Sequence, residues 1–233
     1  VNEDFSRAIV RLFVLVSRLA ERAFRSPFVV HRSLLLFTVH CSLFTNIAVA
    51  NALADFDAFV AQTQSGRAAF TQIVTDARGR VNQMSSGSFA FVRPGKFRWA
   101  YDKPALLIVG DGSRVTFFDP DLNQVTIRKL EQAFSSTPAA LLSGKNDIAT
   151  AFTLVAQADG EGMSWLEANP RSKDAGIETI RMGFANGTLT AMELSDAFGN
   201  KTRLNFTRFE KNARVDVGEF AFKPPKGADV IGP

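Results

Sequence analysis

The sequence predicts a mainly β fold: one antiparallel sheet of about eleven short strands, curled rather than flat, with short helices on its concave side. Three observations carry that prediction. Short alternating apolar runs recur along the chain from Ala68 onward, and turn-forming residues separate them. One internal stretch, Lys129–Thr150, interrupts the meander with helix-type spacing. A sheet of so many antiparallel strands rarely stays open and flat, so it curls and leaves the helices its concave face.

The elements follow in order. Asp55 is placed to cap a short helix, with Phe56, Phe59 and Val60 forming one apolar stripe. The first strands are Ala68–Thr75, Gly87–Val92, Phe97–Asp102, Ala105–Gly110, Val115–Asp119 and Gln124–Arg128. Arg93-Pro94-Gly95, Lys103-Pro104, Asp111-Gly112 and Asp119-Pro120 mark turns between them. Thr137-Pro138 then starts one of two short helices carrying Leu130, Phe134, Leu141 and Leu142. Strands resume at Phe152–Ala158, Ser164–Ala168, Ile177–Phe184, Leu189–Leu194 and Thr202–Phe209, and a last short one is expected at Glu219–Phe222. No low-complexity linker divides residues 55–233, which read as one domain.

The front of the chain reads differently. Ser33–Val39 opens an apolar run that continues through Leu43, Phe44, Ile47 and Val49, with Arg25, His31 and Arg32 before it. Ala52-Leu53-Ala54 supplies an A-x-A cleavage pattern before Asp55, and Ala48-Val49-Ala50 a second one before Asn51. Residues 1–54 are therefore expected to be a leader, with 29–54 as an export signal peptide and 1–28 as a mis-assigned extension. Cys41, the only cysteine, follows His40 rather than the small residue of a lipoprotein signal, and is expected to leave with the leader.

Composition narrows the function classes. The net charge is +4, but residues 1–54 hold six arginines against three acidic residues, which leaves the body nearly neutral. Such a body has no electrostatic footprint for nucleic acid. Both histidines, His31 and His40, also lie in the leader, so the body has no material for Ser-His-Asp or Cys-His catalysis or for the usual zinc sites. Asp102, Asp111, Asp119 and Asp121 cluster in sequence, yet each stands at a strand end or turn, where Asp is a common turn former. The reading is a non-enzymatic protein without cofactor or metal. Sixteen of the 22 Phe remain after the leader, against 2 Trp and 1 Tyr in the whole chain. Phe carries no polar group. That much apolar surface fits either a packed core or a cavity for an apolar ligand, and the count favours the cavity.

The stretch Arg93-Pro94-Gly95-Lys96-Phe97-Arg98-Trp99-Ala100-Tyr101 resembles the R-P-x-x-F-x-W segment of the periplasmic outer-membrane lipoprotein carrier family, LolA. Ala69–Gln72, Val109–Gly112, Phe118-Asp119-Pro120, Thr137-Pro138 with Leu141-Leu142, Phe198-Gly199-Asn200 and Phe220–Gly227 agree with it in order. The resemblance implies an incomplete antiparallel β-barrel under a helical lid. It also implies a monomeric carrier of acylated lipoproteins, loaded by an inner-membrane ABC transporter (LolCDE) and emptied onto an outer-membrane acceptor (LolB). Arg93 would be the lid latch, bonding lid carbonyls near Ala139 and Ala140. The lid would include Phe56, Val60, Ala139, Ala140 and Leu142. Phe89, Phe91, Phe97, Trp99, Phe117, Phe118, Met182 and Phe184 would line the lipid cavity. The alternative is a periplasmic sensor of lipid or lipoprotein on the same half-barrel. The acceptor of the same pathway, itself a lipoprotein, is disfavoured by His40 before Cys41.

Overall fold

In a computed structural model, residues 51–130, 142–144, 151–172 and 176–232 are described. Helix α1 spans Asn51–Gln62. Six strands follow it: β1 (Ser65–Thr75), β2 (Val81–Val92), β3 (Lys96–Tyr101), β4 (Leu106–Asp111), β5 (Arg114–Asp119) and β6 (Gln124–Lys129). After the interruption come β7 (Phe152–Gly160), β8 (Met163–Pro170), β9 (Ile177–Ala185), β10 (Thr188–Asp196), β11 (Lys201–Lys211) and β12 (Asp229–Ile231).

The twelve strands form one sheet in the order β12-β6-β5-β4-β3-β2-β1-β11-β10-β9-β8-β7, with β12 and β7 as open edges. Two runs of hairpins thus meet where β1 pairs with β11, from Gly66↔Lys211 to Thr75↔Lys201. All the pairs are antiparallel except β12 with β6. Side-chain alternation sets the faces. On β1, Ala68, Phe70, Gln72 and Val74 point to the concave interior, and Arg67, Ala69 and Ile73 point away. Aspartates build the tight turns through their own carboxylates. Asp111 accepts from the backbone of Ser113 and Arg114, Asp119 from Asp121 and Leu122, and Asp196 from Phe198 and Asn200. Asp102 accepts from Ser86 Oγ.

Two sequence expectations change. Asp55 lies inside α1 rather than at its cap, because residues 51–54 are already helical; Ser164 Oγ donates to the Asp55 carboxylate at 2.6 Å. The segment expected as a strand at Glu219–Phe222 is instead a 3₁₀ turn, Val217–Phe220, capped by Asp216, which accepts from the Gly218 backbone N–H. That turn buries Phe220 on the outer side of the sheet. The true last strand is β12, which no local pattern announced. The two helices expected within Lys129–Thr150 fall mostly outside the described residues, although Leu142 and Ser143 are helical. The outer face of β8–β11 is held by charge: Arg181 and Arg203 lie over the Trp165 ring at 4.7 and 5.7 Å, and both pair with Glu193.

Candidate functional site: an aromatic concave face under a two-sided clasp

The concave side is dominated by one hydrophobic cluster. β2 and β3 bring Phe89 opposite Trp99 and Phe91 opposite Phe97. The β9 residues Met182 and Phe184 join them from the other half of the sheet, and Phe70 and Phe206 fill the middle. The Phe89 ring centroid lies 5.5 Å from Phe91 and 4.6 Å from Trp99. Helix α1 lies over β7–β10 and inserts its apolar stripe: Phe56 meets Phe184 edge-on at 6.4 Å, and Phe59 lies 5.9 Å from Phe184 and 6.4 Å from Phe91. Leu142 is fully buried in the same cluster.

Of the cavity residues expected from sequence, Phe89, Phe91, Phe97, Trp99, Met182 and Phe184 come together in this cluster, and Phe117 packs against it half-buried. Phe118 does not. Consecutive residues of a strand face opposite sides, and Phe118 points outward, 5.4 Å from Phe222 of the C-terminal segment. Of the lid residues, Phe56 and Leu142 are buried in the cluster and Val60 packs against it. Ala139 and Ala140 lie outside the described residues.

Arg93 sits where β2 turns into β3. Its Nε donates to the Thr63 carbonyl at 2.8 Å, and its Nη1 to the Gly144 carbonyl at 3.1 Å. Thr63 follows the last residue of α1, and Gly144 follows the helical pair Leu142-Ser143. One guanidinium therefore ties together two covers of the concave face. The last turn of α1 has no basic residue of its own, so Arg93 brings from the end of β2 the positive charge that favours a helix C-terminus. Its guanidinium also lies 5.5 Å from the Phe59 ring centroid and 5.3 Å from that of Phe91. Burial pushes its pKa down to about 10, and Nη2 is buried with no partner among the described residues. The group is held charged in a costly place.

Sequence reasoning missed the rest of the clasp. Gly95 N–H donates to the Ser143 carbonyl at 2.6 Å, so the Pro94-Gly95 turn is itself fastened to the 142–144 segment. Gly95 has φ +74°, and a Cβ there would press on Leu130 Cδ2 at 2.9 Å. Asn212 holds the other side, donating to the Gln62 carbonyl and accepting from Gln64 N–H, both at 2.8 Å. The Pro-Gly pair was a visible signal, read as a turn and as part of the R-P-x-x-F-x-W segment but not as a fastening point. The carbonyl partners left no signal, because any residue type supplies a carbonyl.

The family model described as outer membrane lipoprotein carrier protein LolA matches residues 61–223. The outer-membrane lipoprotein carrier protein of Dechloromonas aromatica is 46% identical over 187 residues, covering 80% of this chain and 90% of that protein. Its counterpart from Methylibium petroleiphilum is 48% identical over 185 residues, covering 79% and 91%. Among solved structures, a LolA superfamily protein from Nitrosomonas europaea aligns with 75% of this chain and 97% of its own at 10% identity and a TM-score of 0.44. The matched span of the family model runs from the end of α1 to beyond the 3₁₀ turn and takes in the Arg93 clasp and the aromatic face. On the family model and the sequence relatives, this chain belongs to the outer-membrane lipoprotein carrier (LolA) family.

Proposed function

We propose that the chain is a periplasmic carrier that takes the acyl chains of lipoproteins onto its concave aromatic face, and that Arg93 is the latch of the empty, closed form. The observation that carries this reading is the pair of bonds from one guanidinium to Thr63 and Gly144, on two separate covers of that face. A residue serving the sheet alone would have no reason to bridge both. In this reading α1 and the segment around Leu142 move apart, and Phe89, Phe91, Phe97, Trp99, Phe117, Met182 and Phe184 exchange contact with each other for contact with acyl chains.

Energetics dictate how such a carrier works. About 0.8 kcal/mol per buried CH₂ gives on the order of 35 kcal/mol for roughly 45 CH₂ groups. Acyl chains cannot leave through water on a useful timescale, so release is a direct hand-over. A latch that favours the empty form lowers apparent affinity at the moment of delivery. The donor would be an inner-membrane ABC transporter of LolCDE type and the acceptor an outer-membrane lipoprotein of LolB type. Residues ahead of α1 act as an export signal in this account. Processing before Asn51 is favoured over processing before Asp55, because Ala52 belongs to α1 and is fully buried in the cluster.

Titration with a fluorescent fatty acid tests the reading, with thermal unfolding run alongside to establish a native protein. Saturable binding that an acylated lipopeptide displaces is expected. A folded protein that binds neither would overturn it.

A further inference from the structure

The aromatic cluster contains a polar group that apolar packing does not call for. Trp99 is 5% exposed, and its indole Nε1 is buried with no hydrogen-bond partner among the described residues. Aromatic neighbours fix its ring, with centroids at 4.6 Å (Phe89), 5.4 Å (Phe70) and 6.4 Å (Phe206). Two residues along β3, on the same face, Tyr101 Oη donates to Gln72 Oε1 at 3.0 Å. Gln72 is only 2% exposed and reaches this face from β1. The Phe70 ring lies against both Trp99 and Tyr101. Within this aromatic surface β1 and β3 therefore carry a short polar strip, and the donor at its Trp99 end has no partner among the described residues.

A buried N–H without an acceptor is unfavourable, and a phenylalanine would fill much of the same space without that cost. The expected cargo is apolar along its chains and has acceptors only where those chains join the head, at ester and amide carbonyls. We propose that the Trp99 indole N–H is the donor for an ester carbonyl of the bound acyl chains, with the Gln72–Tyr101 pair as the adjoining polar ledge. This deepens the carrier reading and rests on it. The aromatic rings supply affinity for any hydrocarbon of suitable length. One fixed donor adds orientation, placing the carbonyl end at β3 and leaving the tails to run over the rings. The donor also favours loading selectively, because in the closed form it has no partner among the described residues and cargo supplies one.

The test compares three probes on the intact protein and on Trp99→Phe: a diacylglyceryl lipopeptide with ester links, its dialkyl ether counterpart, and a phospholipid with the same ester chains. The wild type should prefer the ester lipopeptide over the ether by roughly tenfold, a preference that corresponds to one hydrogen bond. Whatever its absolute affinity, Trp99→Phe should bind the ester and the ether lipopeptide equally, so the ratio of the two affinities within each protein is the readout. The ester carbonyl stretch should move to lower wavenumber on binding to the wild type and not on binding to the variant. Equal wild-type affinity for ester and ether overturns the proposal without any variant, and so does a preference that survives Trp99→Phe. A phospholipid that displaces the lipopeptide at equal concentration overturns the assignment to cargo and gives the donor to membrane lipid. Failure of a folded wild type to bind both lipopeptides overturns the carrier reading itself.

Discussion

Replacing Arg93 with leucine should separate loading from delivery. The substitution removes two charge-assisted bonds, to the Thr63 and Gly144 carbonyls, each contributing about 1.5–3 kcal/mol. Against them stands the cost of burying the guanidinium. Burial lowers its pKa to about 10, which corresponds to roughly 3 kcal/mol disfavouring the charged form. The latch is thus worth only about 0–3 kcal/mol net, small enough for cargo to open it. A leucine side chain at this position would leave two carbonyls of the closed form without their donor, at about 1 kcal/mol or more each. The closed form should lose about 2 kcal/mol relative to the open one, so apparent affinity for an acylated lipopeptide should rise between ten- and a hundredfold. Asn212 still holds the end of α1, so the fold should persist. Binding is measured by titration, and hand-over by the fraction of bound lipopeptide passed to an acceptor per unit time. Arg93→Leu should bind more tightly and deliver more slowly. Weaker binding with unchanged delivery per bound molecule would refute the latch.

Two predictions concern the scaffold. A Cβ at Gly87 would collide with the Ala100 carbonyl and the Phe70 ring, so Gly87→Ala should cost about 2 kcal/mol or more and lower the melting temperature by roughly 5 °C. Glu161, hydrogen-bonded to Arg203, and Glu219, hydrogen-bonded to Arg67, are both held below the usual carboxylate range. Their contribution is complete above the unfolded glutamate value, about 4.3, and is lost as pH falls through the lower folded values. Melting temperature should therefore drop on acidification below about pH 4, and Glu219→Gln should make that drop shallower.

Much of the fold was legible because two local rules agreed. Alternation marked β1 to β11, and turns such as Asp111-Gly112 and Phe198-Gly199-Asn200 marked where the strands ended. Where those rules are silent, the reading failed. β12 is three residues long and is fixed by its parallel pairing with β6, a tertiary choice with no sequence period. Phe117 and Phe118 both looked like cavity residues because their strand is apolar on both faces; parity alone sends Phe118 to Phe222. Asp55 resembled a cap because an acidic residue there directly precedes the Phe56, Phe59 and Val60 stripe, yet residues 51–54 are already helical and Ala52 is buried. Nothing but family resemblance singled out Arg93 in the sequence, and the latch role remains a proposal. The observed partners of Arg93 are main-chain carbonyls, which sequence does not encode as residue types.

Native mass spectrometry of the protein recovered from the periplasm of cells making acylated lipoproteins shows whether the concave face carries acyl chains. The protein should be recovered in a one-to-one complex with an acylated lipoprotein, more abundant for Arg93→Leu than for the wild type, and in no complex with the same lipoprotein lacking its acyl chains. Equal capture of acylated and unacylated forms, or a folded carrier that is empty in both proteins, would contradict it.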